Sequence, residues 1–141
     1  MRNHPPKPEN VRLIAPSRDG GRSLSPARPD RALIEPPAQA SLIRFTTKEA
    51  QDRDRLLFAN PASTTRERLT LRVSYDEDWT WAASRVLNDG PSAYSSPAVL
   101  SDLTIGVLYE RGDRSPYERL TFARVTLDWL TRGEDRVARA P

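Results

Sequence analysis

Short alternating segments separated by turn residues constrain the fold of this chain more than any other feature. In RLTLRVSY (68–75), Leu69, Leu71 and Val73 alternate with polar residues, which is the two-residue period of a β-strand. About seven segments of this kind follow one another with turn signals between them, and none has the pattern of an amphipathic helix. The sequence therefore predicts an all-β chain, with a rhythm that suits a propeller or a sandwich.

The remaining segments divide into strands and connections. The other predicted strands are VRLIA (11–15), ASLIRFTT (40–47), RLLFAN (55–60), WAASRVLN (81–88), TIGVLYE (104–110) and LTFARVTLDWL (120–130). Residues 25–38 contain four prolines, so we expect them to be extended without forming a central strand. The stretch GPSAYSSPAVLSD (90–102) is interpreted as a Gly/Pro/Ser loop, in which Tyr94 would cap the edge of the core.

Charge and composition exclude several classes of function. The formal net charge is +3, and the cations are almost wholly arginine, which favours recognition of anions. No basic cluster is interleaved with aromatic residues, so nucleic-acid binding is disfavoured. The chain has no cysteine, which excludes disulfides and thiolate metal sites, and no metal ligands stand out. No apolar run is long enough for a signal sequence or a membrane span.

Two turns share one pattern. SRDGGRSL (17–24) and SYDEDWTW (74–81) both fit Ser-x-Asp-x-x-x-Ser/Thr followed by a large apolar residue. We expect the aspartate to accept backbone N–H bonds inside the turn, the hydroxyl residue to assist it, and the last side chain to plug the sheet below. Two such turns, each leading out of a strand, indicate repeated structural units.

The repeated turn resembles the Asp box of sialidases. The segments LIEPPAQASLIRF (33–45), RLLFANPASTTRERLTLRVSYDEDWTW (55–81) and GPSAYSSPAVLSDLTIGVLYERG (90–112) are similar to consecutive parts of the C-terminal region of bacterial exo-α-sialidases. The resemblance covers residues 1–131 and implies part of a six-bladed β-propeller, about two to three blades of it. Residues 132–141 are predicted to form a disordered tail.

The resemblance also implies four site residues. Tyr94 matches the tyrosine nucleophile of the family, and Glu110 matches the glutamate that orients the first arginine of the substrate-binding triad. Arg2 and Arg66 resemble the second and third arginines of that triad, which hold the substrate carboxylate. From the residues alone, Arg66 also fits a solvated turn arginine with Arg68 as a rival, and Glu110 fits a surface charge at a strand end.

Other parts of the family's machinery are expected to be missing. The resemblance implies that the first triad arginine, the aspartate acid/base and the glutamate partner of the tyrosine lie upstream, while Glu35 matches a structural position. Loss of an acid and a base, each worth about 10²–10⁴ in rate, predicts no useful turnover by the chain alone. Asp78 and Leu103 stand where the family has turn glycines, which puts both turn geometries in question. Leu24 replaces the usual tryptophan of the first Asp box.

These features together predict a sialidase-family protein. The expected ligand is a glycan that carries terminal sialic acid, with no cofactor, metal, nucleic acid or membrane as a partner. The unpaired edges of an incomplete propeller predict self-association. The alternative is a non-catalytic β-module that binds an anionic glycan or a partner subunit through its arginines.

Overall fold

The computed structural model describes residue 1 and residues 9–137, and its regular secondary structure is almost entirely β-strand. The strands are β1 (Val11–Ile14), β2 (Arg28–Ile34), β3 (Ser41–Thr46), β4 (Arg55–Pro61), β5 (Glu67–Ser74), β6 (Ala83–Val99), β7 (Ile105–Arg111) and β8 (Arg119–Val125), and a short helix, α1 (Leu127–Thr131), follows them. In this described part of the chain, no helix has the length and apolar character needed to cross a membrane.

The strands form two antiparallel sheets. β1 pairs with β2, and the other six strands are hydrogen-bonded in sequence order from β3 to β8. β6 is 17 residues long and takes part in two ladders, because residues 83–91 pair with β5 and residues 92–99 pair with β7. The larger sheet therefore consists of a four-stranded unit and a three-stranded unit that share one continuous strand.

The hydrophobic core lies between these two units. Buried side chains from both units, including Leu57, Leu71 and Val107, form one cluster with Leu127 and Leu130 of α1. Removal of this apolar surface from water is the main force that holds the units together.

Strand β5 is buried on both faces. Leu69, Leu71 and Val73 enter the core, which confirms the predicted alternation. On the opposite face, Arg72 is only 8% exposed and donates a hydrogen bond to Asn60 Oδ1 at 2.7 Å. Burial lowers the pKa of Arg72. On this polar face, the hydrogen bond to Asn60 therefore takes the place of part of the solvent contact that the Arg72 guanidinium loses.

The first Ser-x-Asp turn is closed by its own side chains. Asp19 accepts the backbone N–H of Ser23 at 2.9 Å and the Ser23 hydroxyl at 2.7 Å, and Ser17 Oγ accepts the N–H of Gly21 at 2.8 Å. The bonds from Ser23 and Ser17 lower the pKa of the Asp19 carboxyl to about 2. This is the hydrogen-bond pattern that the sequence predicts.

The second turn repeats that pattern without glycine. Asp76 accepts the N–H of Thr80 at 2.9 Å and its hydroxyl at 2.6 Å, while Ser74 Oγ accepts the N–H of Asp78 at 3.0 Å. Asp78 has a φ of +69°, and Leu103, in the turn between β6 and β7, has a φ of +58°. The second Ser-x-Asp turn and the β6–β7 turn therefore keep a left-handed backbone at Asp78 and Leu103, although a side chain disfavours that conformation.

The predicted plug is present in the second turn only. The Trp81 ring packs against Phe58 at a centroid distance of 5.2 Å, and its Nε1–H donates to Asp30 at 3.2 Å. In the first turn, Leu24 is 62% exposed. At this position, where the family resemblance implies a tryptophan, the first turn therefore has no buried anchor.

One predicted loop and one predicted strand were wrong. Residues 90–99 are not a loop but part of β6, with Ser96 paired to Leu108 and Ala98 to Gly106 of β7. The glycine and proline at 90 and 91, which suggested a loop, lie where β6 changes partner. The last predicted strand ends at Val125, and Thr126 caps α1 by accepting the N–H of Trp129 at 3.0 Å.

The segment after α1 returns to the sheet. Asp135 is 7% exposed, and both of its carboxylate oxygens accept hydrogen bonds from Arg55 of β4, at 2.7 and 2.8 Å. Arg55 is fully buried and also pairs with Asp52 at 2.8 Å. The domain boundary at residue 131 remains a prediction, and residues 138–141 lie outside the described part of the chain.

Candidate functional site

Tyr94 emerges from the second half of β6 on the side opposite the core. Its neighbours Ala93 and Ser95 are buried, whereas Tyr94 is 39% exposed. Because successive side chains of a strand point to opposite faces, burial of the two neighbours directs Tyr94 outward. The tyrosine therefore lies within a strand, at an irregularity in its pairing with β7, rather than in a connecting loop.

Glu110 lies beside Tyr94 on the adjacent strand. Its Oε2 accepts a hydrogen bond from the Tyr94 backbone N–H at 3.1 Å. Tyr109, the preceding residue of β7, is 5% exposed and points into the core, so Glu110 and Tyr94 share the outer face. The structure thus brings together two of the residues that the sequence singled out.

Arg66 approaches the same place from the connection between β4 and β5. Its backbone oxygen accepts the N–H of Ser92 at 2.8 Å, which ties this connection to β6. The Arg66 Cζ lies 5.3 Å from the centre of the Tyr94 ring, and Nη2 donates to the Pro37 oxygen at 3.3 Å. A guanidinium at this distance is attracted by the face of the aromatic ring.

Arg68, the rival candidate, is directed elsewhere. It pairs with the exposed Asp89 at 3.4 Å and has a φ of +58°, at a point where the pairing of β5 with β6 shifts register. This irregularity separates the two arginines although they are two residues apart. Of the two, Arg66 is the one that contacts Tyr94.

Tyr117 is part of this cluster and was missed by sequence reasoning. Its hydroxyl accepts a hydrogen bond from Arg66 Nη1, and its ring centre is 5.8 Å from the Arg66 Cζ. The sequence contains only a weak indication that Tyr117 belongs to the site. It is an aromatic residue within the polar turn GDRSPYE (112–118), directly after the strand that carries Glu110.

A glutamine fixes the strand next to Tyr94. Gln39 Oε1 accepts the Ser95 N–H at 3.2 Å, and its Nε2 donates to the Ser95 oxygen at 3.2 Å. The Ser41 hydroxyl donates to the same oxygen at 2.7 Å. These bonds join the start of β3 to the second half of β6, so two units of the fold meet at the residue that follows Tyr94.

The other residues singled out in the sequence lie apart from this cluster or outside the described chain. Glu35 is fully buried and pairs with the buried Arg12 at 2.5 Å, and Arg12 also donates to the Ala38 oxygen at 3.2 Å. This is the structural position expected for Glu35. Arg2 lies outside the described residues, and its role in binding remains a prediction.

The cluster offers cationic and phenolic groups rather than a metal site. In residues 9–137, no group of three or more His, Cys, Asp or Glu side chains could hold an ion. Arg66 has five N–H donors, and in this part of the chain it uses one for Tyr117 and one for Pro37. The remaining donors of the Arg66 side chain have no hydrogen-bond partner among the described residues.

Comparison with known proteins identifies the family. The sequence is 39% identical over 123 residues to the sialidase of Micromonospora viridifaciens, an alignment that covers 84% of this chain and 18% of that protein. The chain belongs to the sialidase family. The mouse protein Sialidase-3 is 36% identical over 72 residues, covering 48% of this chain and 17% of its own length. No family model matches the sequence.

Solved sialidase structures share the fold of this family member. A Hadza microbial sialidase has a TM-score of 0.69 at 31% identity, over 86% of this chain and 24% of its own. The intramolecular trans-sialidases of Ruminococcus gnavus and of the leech each give a TM-score of 0.72 at 22% identity, over 87% and 88% of this chain and 29% and 21% of their own. The fold is therefore a partial sialidase β-propeller, which confirms the sequence prediction.

This sialidase-family chain spans less than a third of the length of these relatives. Its four-stranded unit has the strand count of one propeller blade, and the three-stranded unit and the β1–β2 pair each have fewer strands than a full blade.

Proposed function

We propose that this chain forms the arginine and tyrosine part of a sialidase site. Arg66 would bind the carboxylate of a terminal sialic acid, and Tyr94 would face the carbon that carries this carboxylate. The observation that supports the proposal is the position of the Arg66 guanidinium, 5.3 Å from the Tyr94 ring, with N–H donors left for a ligand. Arginine suits this task because its donors match a carboxylate in a bidentate geometry.

A tyrosine suits a substrate that is itself an anion. A carboxylate nucleophile would be repelled by the carboxylate at the attacked carbon, whereas a neutral phenol is not, which is why sialidases depart from the two-carboxylate scheme of most glycosidases. In this chain the phenol ring lies next to Arg66, so binding of the substrate anion by this cation, as proposed, would bring the reacting carbon close to Tyr94.

Glu110 and Arg2 complete the proposal. Glu110 Oε2 is occupied by the Tyr94 N–H, and Oε1 makes no hydrogen bond within residues 9–137. This leaves one carboxylate oxygen to orient an arginine, which is the role implied by the family resemblance. Arg2 is proposed to add a second guanidinium to the carboxylate site.

We expect the chain to bind free N-acetylneuraminic acid through Arg66. Arg66→Ala should weaken this binding about tenfold or more, because it removes hydrogen bonds to a charged group. The dissociation constant can be measured by NMR titration of the labelled chain with the sugar. Arg68→Ala is the matched control and should leave the constant unchanged, since Arg68 pairs with Asp89 away from Tyr94. Equal loss in both variants would contradict the assignment of Arg66.

The same variants separate binding from catalysis. Within the described residues, no carboxylate accepts the Tyr94 hydroxyl proton, so the isolated chain should not hydrolyse a fluorogenic sialoside. Hydrolysis that disappears in Tyr94→Phe would refute this expectation and show that the chain supplies its own base. Binding that needs Arg66 without any hydrolysis would agree both with the proposed site and with a glycan-binding module.

We also propose self-association through the outer face of β7 and β8. Leu108, Leu120 and Phe122 are 46%, 69% and 60% exposed on this face, and β8 has no further partner among the described strands. Light scattering should therefore show a mass that rises with concentration, and Phe122→Lys should reduce that rise. Trp79→Lys, at an exposed aromatic in another turn, is the control. A constant monomer mass would exclude this association.

A further inference from the structure

The turn between β7 and β8 is held rigidly by one carboxylate. Glu118 accepts the backbone N–H groups of Asp113, Arg114 and Ser115 at 2.9, 2.9 and 2.8 Å. These bonds hold the pKa of the Glu118 carboxyl below its ordinary value. A turn closed by three bonds to a single side chain has few alternative conformations.

Glycine at position 112 allows this closure. A Cβ there would lie 1.9 Å from the Ser115 oxygen and 2.7 Å from the Glu118 Cδ. The first distance is far inside a van der Waals contact and involves backbone, so a side chain at Gly112 would open the turn. The glycine at position 112 and the hydrogen bonds of Glu118 thus both favour one compact conformation of residues 112–118.

This turn presents Tyr117 to Arg66. The Tyr117 side chain is 60% exposed, so its place is not explained by packing in the core. Among the described residues, its side chain contacts Arg66, 51 residues earlier in the chain, through the Nη1 hydrogen bond and the ring contact at 5.8 Å. A rigid turn therefore holds an exposed aromatic residue against a cation in a different part of the sheet.

Contacts from three residues restrain the Arg66 side chain. The Tyr94 ring lies 5.3 Å from its Cζ, Tyr117 accepts from Nη1, and the Pro37 oxygen accepts from Nη2 at 3.3 Å. An arginine side chain otherwise samples many rotamers, and fixing it before a ligand arrives reduces the entropy lost on binding.

We propose that Tyr117 is a positioning residue that holds the Arg66 guanidinium in one orientation beside Tyr94. The ligand class is an organic carboxylate on a sugar, and this part of the inference rests on the proposed function. The positioning role itself depends only on the contacts between Tyr117 and Arg66, so the two statements can be tested separately.

The first test measures the mobility of Arg66. The guanidinium signals of Arg66 in an NMR spectrum of the labelled chain are identified as those missing in Arg66→Ala. Tyr117→Phe keeps the ring and removes the acceptor oxygen, so exchange of the Arg66 Nη protons with water should become about threefold to tenfold faster. Tyr117→Leu removes the ring as well and should show at least the same increase.

The second test measures affinity for N-acetylneuraminic acid in the same variants. Tyr117→Phe should raise the dissociation constant about threefold to tenfold, the change expected for one lost hydrogen bond. Trp79→Phe is the matched control, because Trp79 is an exposed aromatic that also contacts an arginine, Arg28, at 5.1 Å. It should alter neither the Arg66 signals nor the affinity.

The outcomes are distinct. Unchanged Arg66 exchange in both Tyr117 variants, with the melting temperature preserved, would overturn the positioning role. Faster exchange with unaltered affinity would overturn its relevance to ligand binding. Faster exchange in a chain whose wild type binds no N-acetylneuraminic acid would support the positioning role and refute the proposed function.

Discussion

Replacement of Arg55 by methionine should lower the free energy of unfolding by about 3–5 kcal/mol. Arg55 is fully buried, and its guanidinium bonds both oxygens of Asp135, which is 7% exposed. The substitution keeps most of the aliphatic volume but leaves a carboxylate buried without its cation. Urea unfolding followed by far-ultraviolet circular dichroism measures the change.

Two controls isolate the buried pair. Arg53→Met removes an arginine that is about half exposed and pairs with Asp52 at 3.3 Å, and it should cost less than about 1 kcal/mol. The double variant Arg55→Met/Asp135→Leu removes both charges and should be more stable than Arg55→Met alone. If the double variant is the less stable of the two, the cost does not arise from an unpaired Asp135.

Leu71→Ala should lower the free energy of unfolding by about 2–5 kcal/mol, because it opens a cavity at the centre of the sheet. Leu71 is 0% exposed and belongs to the cluster that joins the two units and α1. Since both units share this cluster, the variant should still unfold in one transition. Urea unfolding monitored by circular dichroism and by tryptophan fluorescence tests both expectations.

Leu108→Ala is the matched leucine control. Leu108 is 46% exposed on the opposite face of the sheet, so its loss should cost about 0.5 kcal/mol or less. Two separate transitions in Leu71→Ala would show that the four-stranded and three-stranded units unfold independently. A similar cost for the two leucines would place the core elsewhere.

Local patterns predicted much of this fold. The alternation in β5 and the Ser-x-Asp turns at Asp19 and Asp76 depend on a few neighbouring residues, so they can be predicted from the sequence. The pairing of distant segments is not encoded in this way. Residues 90–99 look like a loop by composition, and they form a strand because β7 pairs with them.

The helix and the buried ion pair also could not be predicted from local sequence patterns. α1 has only five residues, and Thr126 caps it through a single side-chain bond, which gives little periodicity to detect. Arg55 and Asp135 are 80 residues apart in the chain. Neither residue looks different from a solvated surface charge until the fold brings the two together.

The candidate site could be predicted from the resemblance of the sequence to sialidases, but not from the chemistry and spacing of its residues alone. Tyr94, Glu110 and Arg66 match motifs, and the structure places the three side by side. The choice between Arg66 and Arg68 could not be made from spacing, because the left-handed backbone at Arg68 redirects that side chain. Tyr117 could not be found at all, since its partnership with Arg66 exists only in three dimensions.

The continuity of β6 has a consequence for how this sequence can change in length. A connecting loop absorbs an insertion or deletion locally, whereas one extra residue in a strand turns every following side chain to the other face. Between β5 and β7, such a change at residues 83–93 would send Tyr94 toward the core unless one of the register shifts of β6 absorbed it. Length variation among related sequences should therefore concentrate at the connections 47–54 and 100–104, and the segment from Ala83 to Tyr94 should vary less in length.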